Sequence, residues 1–132
     1  MPKRTSKANR TSGTKYVDGF VLPVPKKNMP AYRRMASLAG KVWREHGALE
    51  YIECLADDVK PGKYTSFPQS VKLKRGETVA FSWIVYKSRK DRDRINAKVM
   101  KDPRLAAMMN PKALPFDGKR MFWGGFKEFV NL

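Results

Sequence analysis

The sequence has one cysteine, one histidine, no long apolar run and, against 28 basic residues, only 12 acidic ones. Each shortage removes a class of protein. A lone Cys54 cannot form an internal disulfide, which suits a reducing compartment. One histidine, His46, without Cys, Asp or Glu at ligand spacing does not make a metal site. No phosphate loop, dinucleotide fingerprint or nucleophile motif is present either, so no cofactor is expected. No stretch approaches the roughly 18 apolar residues that span a bilayer, and no secretory apolar region is seen. The expectation is a cytoplasmic protein with no membrane partner.

The shortage of acids leaves a formal charge of +16. Lys3, Arg4, Lys7, Arg10 and Lys15 stand in the first 15 residues with no acid among them. That stretch is rich in Ser, Thr and Asn, and residues 1–15 are expected to be a disordered basic tail. A single domain is expected over 16–132. It still carries 23 basic residues against 12 acidic ones, a field that attracts anionic ligands or polyanions without choosing among them.

Within the domain, Glu77 to Asp102 is the organising stretch. Val79, Phe81, Trp83 and Val85 alternate with Ala80, Ser82, Ile84 and Tyr86, so both faces of this strand are apolar and both need a cover. Ser88, with Asp91 three residues on, then caps a helix that turns Ile95, Val99 and Met100 inward. Upstream, Tyr16 to Val24 reads as a strand with Asp18 on its apolar side. Asn28 caps a helix whose apolar arc runs through Tyr32, Met35, Ala36, Ala39, Val42, Trp43 and His46, and Gly47 stops it. Ala48 to Ala56 reads as a strand with Glu50 and Glu53 on opposite faces, as at a sheet edge, and with Cys54 as a small core residue.

Phe67, Val71 and Leu73 alternate with Ser70, Lys72 and Lys74, predicting a short strand in a hairpin through Arg75-Gly76. Asp102-Pro103 ends one helix and begins another. Lys119 to Phe129 reads as a last aromatic strand. The fold class is α+β: a ferredoxin-like β-α-β-β-α-β sandwich with an inserted hairpin strand. Two amphipathic helices cover one sheet face only. The other face is assigned to a second subunit, giving a homodimer.

The blocks YVDGFVLPVPKKN, KVWREHGALEYIECLADDVKPGK, TSFP, ETVAFSWIVYKSRKDRDRIN and PFDGKRM resemble the YbaA-like family of small bacterial proteins over Tyr16 to Phe126. The resemblance implies the dimeric α+β barrel superfamily, whose members include cofactor-free monooxygenases and isomerase-like enzymes. It carries over no catalytic residue.

A small-molecule pocket between sheet and helices is the leading functional expectation, with an anionic substrate favoured by the field. His46 and then Asp18 are the candidate proton-transfer groups. Tyr51, Glu53, Trp83, Tyr86, Phe116, Arg120 and Trp123 are candidates for its walls. The alternatives are nucleic-acid binding through the tail, the Lys72-Lys74-Arg75 tip and the run from Lys87 to Arg94, or a structural dimer without a ligand. Asp91 and Asp93 interrupt that basic run, and no RNP-type signature accompanies it.

Overall fold

Strand β1 (Tyr16–Pro25) lies at the centre of an antiparallel sheet, with β3 (Glu77–Tyr86) on one side and β4 (Phe122–Lys127) on the other. β2 (Glu50–Leu55) pairs only with β3, and the order across the sheet is β2-β3-β1-β4. This is a computed structural model, and it describes residues 14–132. The tail expected at residues 1–15 therefore lies outside the described residues, apart from its last two. Among the described residues no helix is long and apolar enough to cross a membrane.

Each long crossover runs over the same side of the sheet. α1 (Met29–Glu45) buries Tyr32, Ala36, Ala39, Gly40 and Val42 and leaves Arg33, Arg34, Lys41 and Arg44 exposed, as the period required. It stops at Gly47, whose φ of +120° lies in the region that disfavours side chains. α3 (Arg89–Met100) is capped by Ser88, whose Oγ accepts from the Asp91 amide at 3.1 Å. Ile95 and Val99 are fully buried against Val42, Ile84 and Tyr86. At about 1.5–3 kcal/mol for each buried aliphatic side chain, this contact is a main source of the layer's cohesion. α4 (Pro103–Met108) follows directly, capped by Asp102, whose Oδ1 accepts from the Arg104 amide at 3.0 Å.

Several expectations are corrected. The segment around Phe67 is not a strand but a short helix, α2 (Phe67–Ser70). Ser66 Oγ accepts from the Gln69 amide, and Pro68 sits in the first turn, so local capping overrides the alternation. Among the described residues the sheet therefore has four strands and no inserted hairpin strand. Val71 still serves the core, fully buried against Val21 and Val79. Asn28 precedes α1, but its side chain donates to the Pro115 carbonyl at 3.0 Å instead of capping the helix. Met100 points outward, 60% exposed. Cys54 is exposed, because its side of edge strand β2 is the side that neither long helix covers. The last strand is shorter than expected: Asp117 caps a 3-10 turn at Gly118–Arg120, and pairing begins only at Phe122.

The sheet face away from α1 and α3 is apolar and only partly covered. The register places Ile52, Phe81, Trp83, Val17, Val21, Phe122 and Phe126 on it; Val71, just after α2, buries Val21 and Val79, and Phe67 of α2 lies 5.9 Å from Phe81, while Phe81, Phe122 and Phe126 are 43%, 46% and 64% exposed.

Arg120 ties the start of β3 to the turn before β4. Its guanidinium donates to both Glu77 oxygens, at 2.8 and 2.6 Å, to Asp117 and to the carbonyls of Val71 and Lys72. Hydrogen bonds from Arg120 hold the Glu77 and Asp117 carboxyls below the usual carboxylate range. A carboxyl depressed in the folded state contributes stability that is present above its unfolded value, near pH 4, and lost as the pH falls. Arg120→Ala should therefore flatten the loss of stability between roughly pH 5 and pH 3 in urea titrations. An unchanged acid limb would show that the clamp adds nothing to folding.

Candidate functional site

Between the sheet and the helices a cavity of about 130 Å3 remains, walled by Phe20, Leu22, Met35, Ile84, Leu105 and Phe116 among others. An engineered apolar cavity of about 150 Å3 takes up benzene, so this space suits a small apolar group. Its only carboxylate is Glu53. Strand alternation puts Tyr51, Glu53 and Leu55 on the helix side, opposite Ile84, Ser82 and Ala80 of β3. The Tyr32 hydroxyl, from α1, donates to Glu53 Oε1 at 2.7 Å, and the Tyr51 hydroxyl donates to Oε2 at 2.9 Å. Burial first, and then the Glu53 charge, push both phenols well above their ordinary range, so both remain donors.

α1 approaches close enough for this because residue 40 is glycine: a Cβ there would sit 2.8 Å from Tyr51 Cδ1. Outside the same three residues, a wider groove of about 700 Å3 runs between α1 and β2. Arg33, Ser37, Lys41 and Arg44 form its helix side. Tyr32, Tyr51 and Glu53 line both spaces, so they form the junction between an apolar interior and a basic rim.

Of the candidates named from sequence, Tyr51, Glu53 and Phe116 meet at this cavity, with Phe116 edge-on to Tyr32 at 5.9 Å. The others lie elsewhere. His46 Nε2 is 3.0 Å from Asp102 Oδ2 at the end of α1 and lines neither space. Trp83 is on the sheet face away from α1 and α3, beside Phe81, 5.5 Å between ring centroids. Trp123 stacks on Phe20 at 5.9 Å, half exposed. Arg120 is occupied by Glu77 and Asp117. Tyr86 is fully buried and donates to Asn96 Oδ1, which also accepts from Trp43 Nε1 at 3.0 Å. Tyr32 was read from sequence only as a core residue. The signal for more was available, since a tyrosine on a buried helix face must bring its hydroxyl to an acceptor.

On α3 the basic run is largely paired internally, with Arg89 near Asp93 and Arg94 near Asp91. Arg92 turns inward instead. Its Nε stands 3.4 Å from Asp18 Oδ1, both atoms buried without a well-formed hydrogen bond, and its Nη2 donates to the Tyr16 hydroxyl. Burial raises the Asp18 pKa, and the Arg92 charge offsets part of that rise. Asp18 is thus the anchor that holds α3 to β1. Asp18→Ala removes the buried partner of Arg92 and leaves it only the half-exposed Asp93, 3.4 Å from its Nη1, and should cost about 3 kcal/mol in urea unfolding. A loss below about 1 kcal/mol would remove this anchoring role.

Comparison with known proteins gives two concordant results. A family model described as "Protein of unknown function (DUF1428)" matches residues 15–118. Proteins named "Uncharacterized protein YbaA" from Escherichia coli strain K12, Escherichia coli O157:H7 and Shigella flexneri are each 48% identical over 117 residues, covering 89% of this chain and 98% of theirs. The matched span contains α1, β2, β3 and Phe116, and so includes the Tyr32–Glu53–Tyr51 junction. By both measures, this chain belongs to the DUF1428 family.

Proposed function

We propose that this chain binds or transforms a small molecule in the cavity closed by Tyr32, Glu53 and Tyr51, and that it works as a homodimer of ferredoxin-like subunits. The observation that carries the first part is the cavity's composition. It is an apolar space with a single carboxylate, and two neutral hydroxyls hold that carboxylate in place. A few fixed polar groups in an apolar wall are the usual makeup of a ligand site. If a reaction takes place here, Glu53 is the group placed to accept a proton, because the other ionisable side chains facing the cavity are the two phenols, which stay protonated.

The second part rests on the sheet. Its order, β2-β3-β1-β4 with antiparallel neighbours, is that of two interleaved β-α-β units, the ferredoxin-like pattern. The long helices occupy one face, while on the other α2 covers only part and Phe81, Phe122 and Phe126 remain exposed. A contiguous apolar face of this kind favours association, and a second copy brings the same surface.

Two measurements test these parts separately. Ligands that bind only the folded state raise its melting temperature, so a fragment screen of small aromatic compounds should yield stabilising hits on the wild type. Ala39→Phe, which fills the cavity from α1, should abolish them. Hits that survive this substitution would move the site elsewhere. Independently, light scattering should give a dimer mass for the wild type and a monomer mass for Phe81→Glu, which places a charge at the centre of the open face. A wild-type monomer at micromolar concentration would overturn the dimer.

A further inference from the structure

We infer that the free edge of β2 and the basic flank of α1 form a docking groove for an extended acidic peptide, which adds to the four-stranded sheet as an extra strand. This groove is separate from the inner cavity and owes nothing to the reading of it. β2 pairs only with β3, so its other edge is unpaired among the described residues. Continuing the β2–β3 register sets Ala56 opposite Val79, and the Ala56 amide donates to the Val79 carbonyl at 2.9 Å. Bonded pairs alternate along an antiparallel ladder. Glu50, Ile52 and Cys54 therefore turn their backbone groups to β3, while Tyr51, Glu53 and Leu55 turn theirs to the free edge. The strand contains neither proline nor lysine, the usual blocks to edge pairing. The other edge strand, β4, is a poorer template because Gly124-Gly125 interrupts it.

The outer groove of about 700 Å3 runs along this edge. Glu50 and Ile52 line it together with Tyr51, Glu53 and Leu55, so it opens on the edge itself and not on one face of the strand. α1 lies alongside in the opposite direction. Arg44 donates to the Leu49 carbonyl, Gly40 abuts the Tyr51 ring, and Tyr32 reaches Glu53. On its flank Arg33, Ser37 and Lys41 follow one another at intervals of four residues, and all three are exposed. Arg33 and Lys41 form no ion pair among the described residues. Arg44 is already held by the carbonyls of Ala48 and Leu49.

The two free cations stand two helical turns apart, roughly 12 Å along the axis. Four residues of extended chain span roughly 13 Å, and residues four apart share a face. A docked strand with acids at i and i+4 thus offers one carboxylate to each cation. Lys41 follows Gly40, so its acid lies opposite Tyr51, and the second lies opposite Leu55. The residue between them, i+2, lies opposite Glu53 and must be neutral, because like charges directly across a ladder repel. Backbone pairing supplies affinity for any extended chain, and the two charges select the segment.

Calorimetric titration of the full chain with the acetylated, amidated heptapeptide Thr-Glu-Thr-Thr-Thr-Glu-Thr tests this. At low salt it should bind about tenfold or more tightly than its analogue with Lys for Glu, and than an isomer whose acids stand at positions two and five, on opposite faces. Methylating the peptide amides at positions two, four and six, or at three and five, should abolish binding for one set only, because alternate amides face β2. Arg33→Glu with Lys41→Glu should reverse the preference in favour of the Lys analogue, a gain that misfolding cannot produce. No binding to the wild type, equal binding of the Glu and Lys peptides, or equal loss from both methylations would overturn the groove. Binding confined to Phe81→Glu would also overturn it, since a second copy would then occupy the edge. So would equal displacement by a mixed-sequence oligonucleotide of the same charge, the mark of a general polyanion surface. The wild-type series decides even if the charge-reversed variant fails to fold.

Discussion

One layer of helices cannot cover two faces of a sheet, and the rest of this molecule follows from that constraint. The two long crossovers place α1 and α3 on the same side, where Val42, Ile95 and Val99 close over Ile84 and Tyr86. Everything polar that the core must accommodate is then dealt with on that side. Asp18 is matched by Arg92, Tyr86 by Asn96, and Glu53 by two tyrosines. The opposite side has no such arrangement. It has aromatic and branched side chains, only the one-turn helix α2 over part of it, and a cysteine at the exposed edge.

The three buried polar arrangements differ in a way that separates structure from chemistry. Asp18 and Arg92 are opposite charges facing one another, so each charge is balanced within the fold even though Asp18 Oδ1 and Arg92 Nε lack a well-formed hydrogen bond. Asn96 is similarly consumed, accepting from Trp43 and Tyr86. Glu53 is the exception, a carboxylate steadied by neutral donors and open to a cavity. A charge positioned but not neutralised can still act on something that arrives from outside.

Much of this was legible from residue patterns. The strand at Glu77, the amphipathic helix ending at Gly47, the Ser88 and Asp102 caps and the edge character of the Glu50–Leu55 strand rest on periodicity and local hydrogen bonding, which a sequence displays directly. The segment at Phe67 misled because an alternating pattern and a capped turn competed over seven residues, and the Ser66 cap prevailed. At the site, Tyr51, Glu53 and Phe116 were identifiable one by one as polar or aromatic residues on a core-facing pattern. Their meeting with Tyr32 was not. It depends on how closely α1 approaches β2, and Gly40 sets that distance by lacking a side chain. His46 and Asp18 drew notice as ionisable residues on apolar faces, and the fold uses both to join elements.

The wall of the cavity that comes from α4 has a distinct energetic character. The helix is six residues long with one buried side chain, Leu105, and its polar ties to the end of α1 are His46 to Asp102 and Arg104 to Glu45. Short, lightly anchored elements open at lower free energy than the strands they cover. Exchange of backbone amides with solvent would be graded among the regular elements, faster at α4 than at the β1–β3 ladder. Local opening of this one short helix would expose the interior without global unfolding.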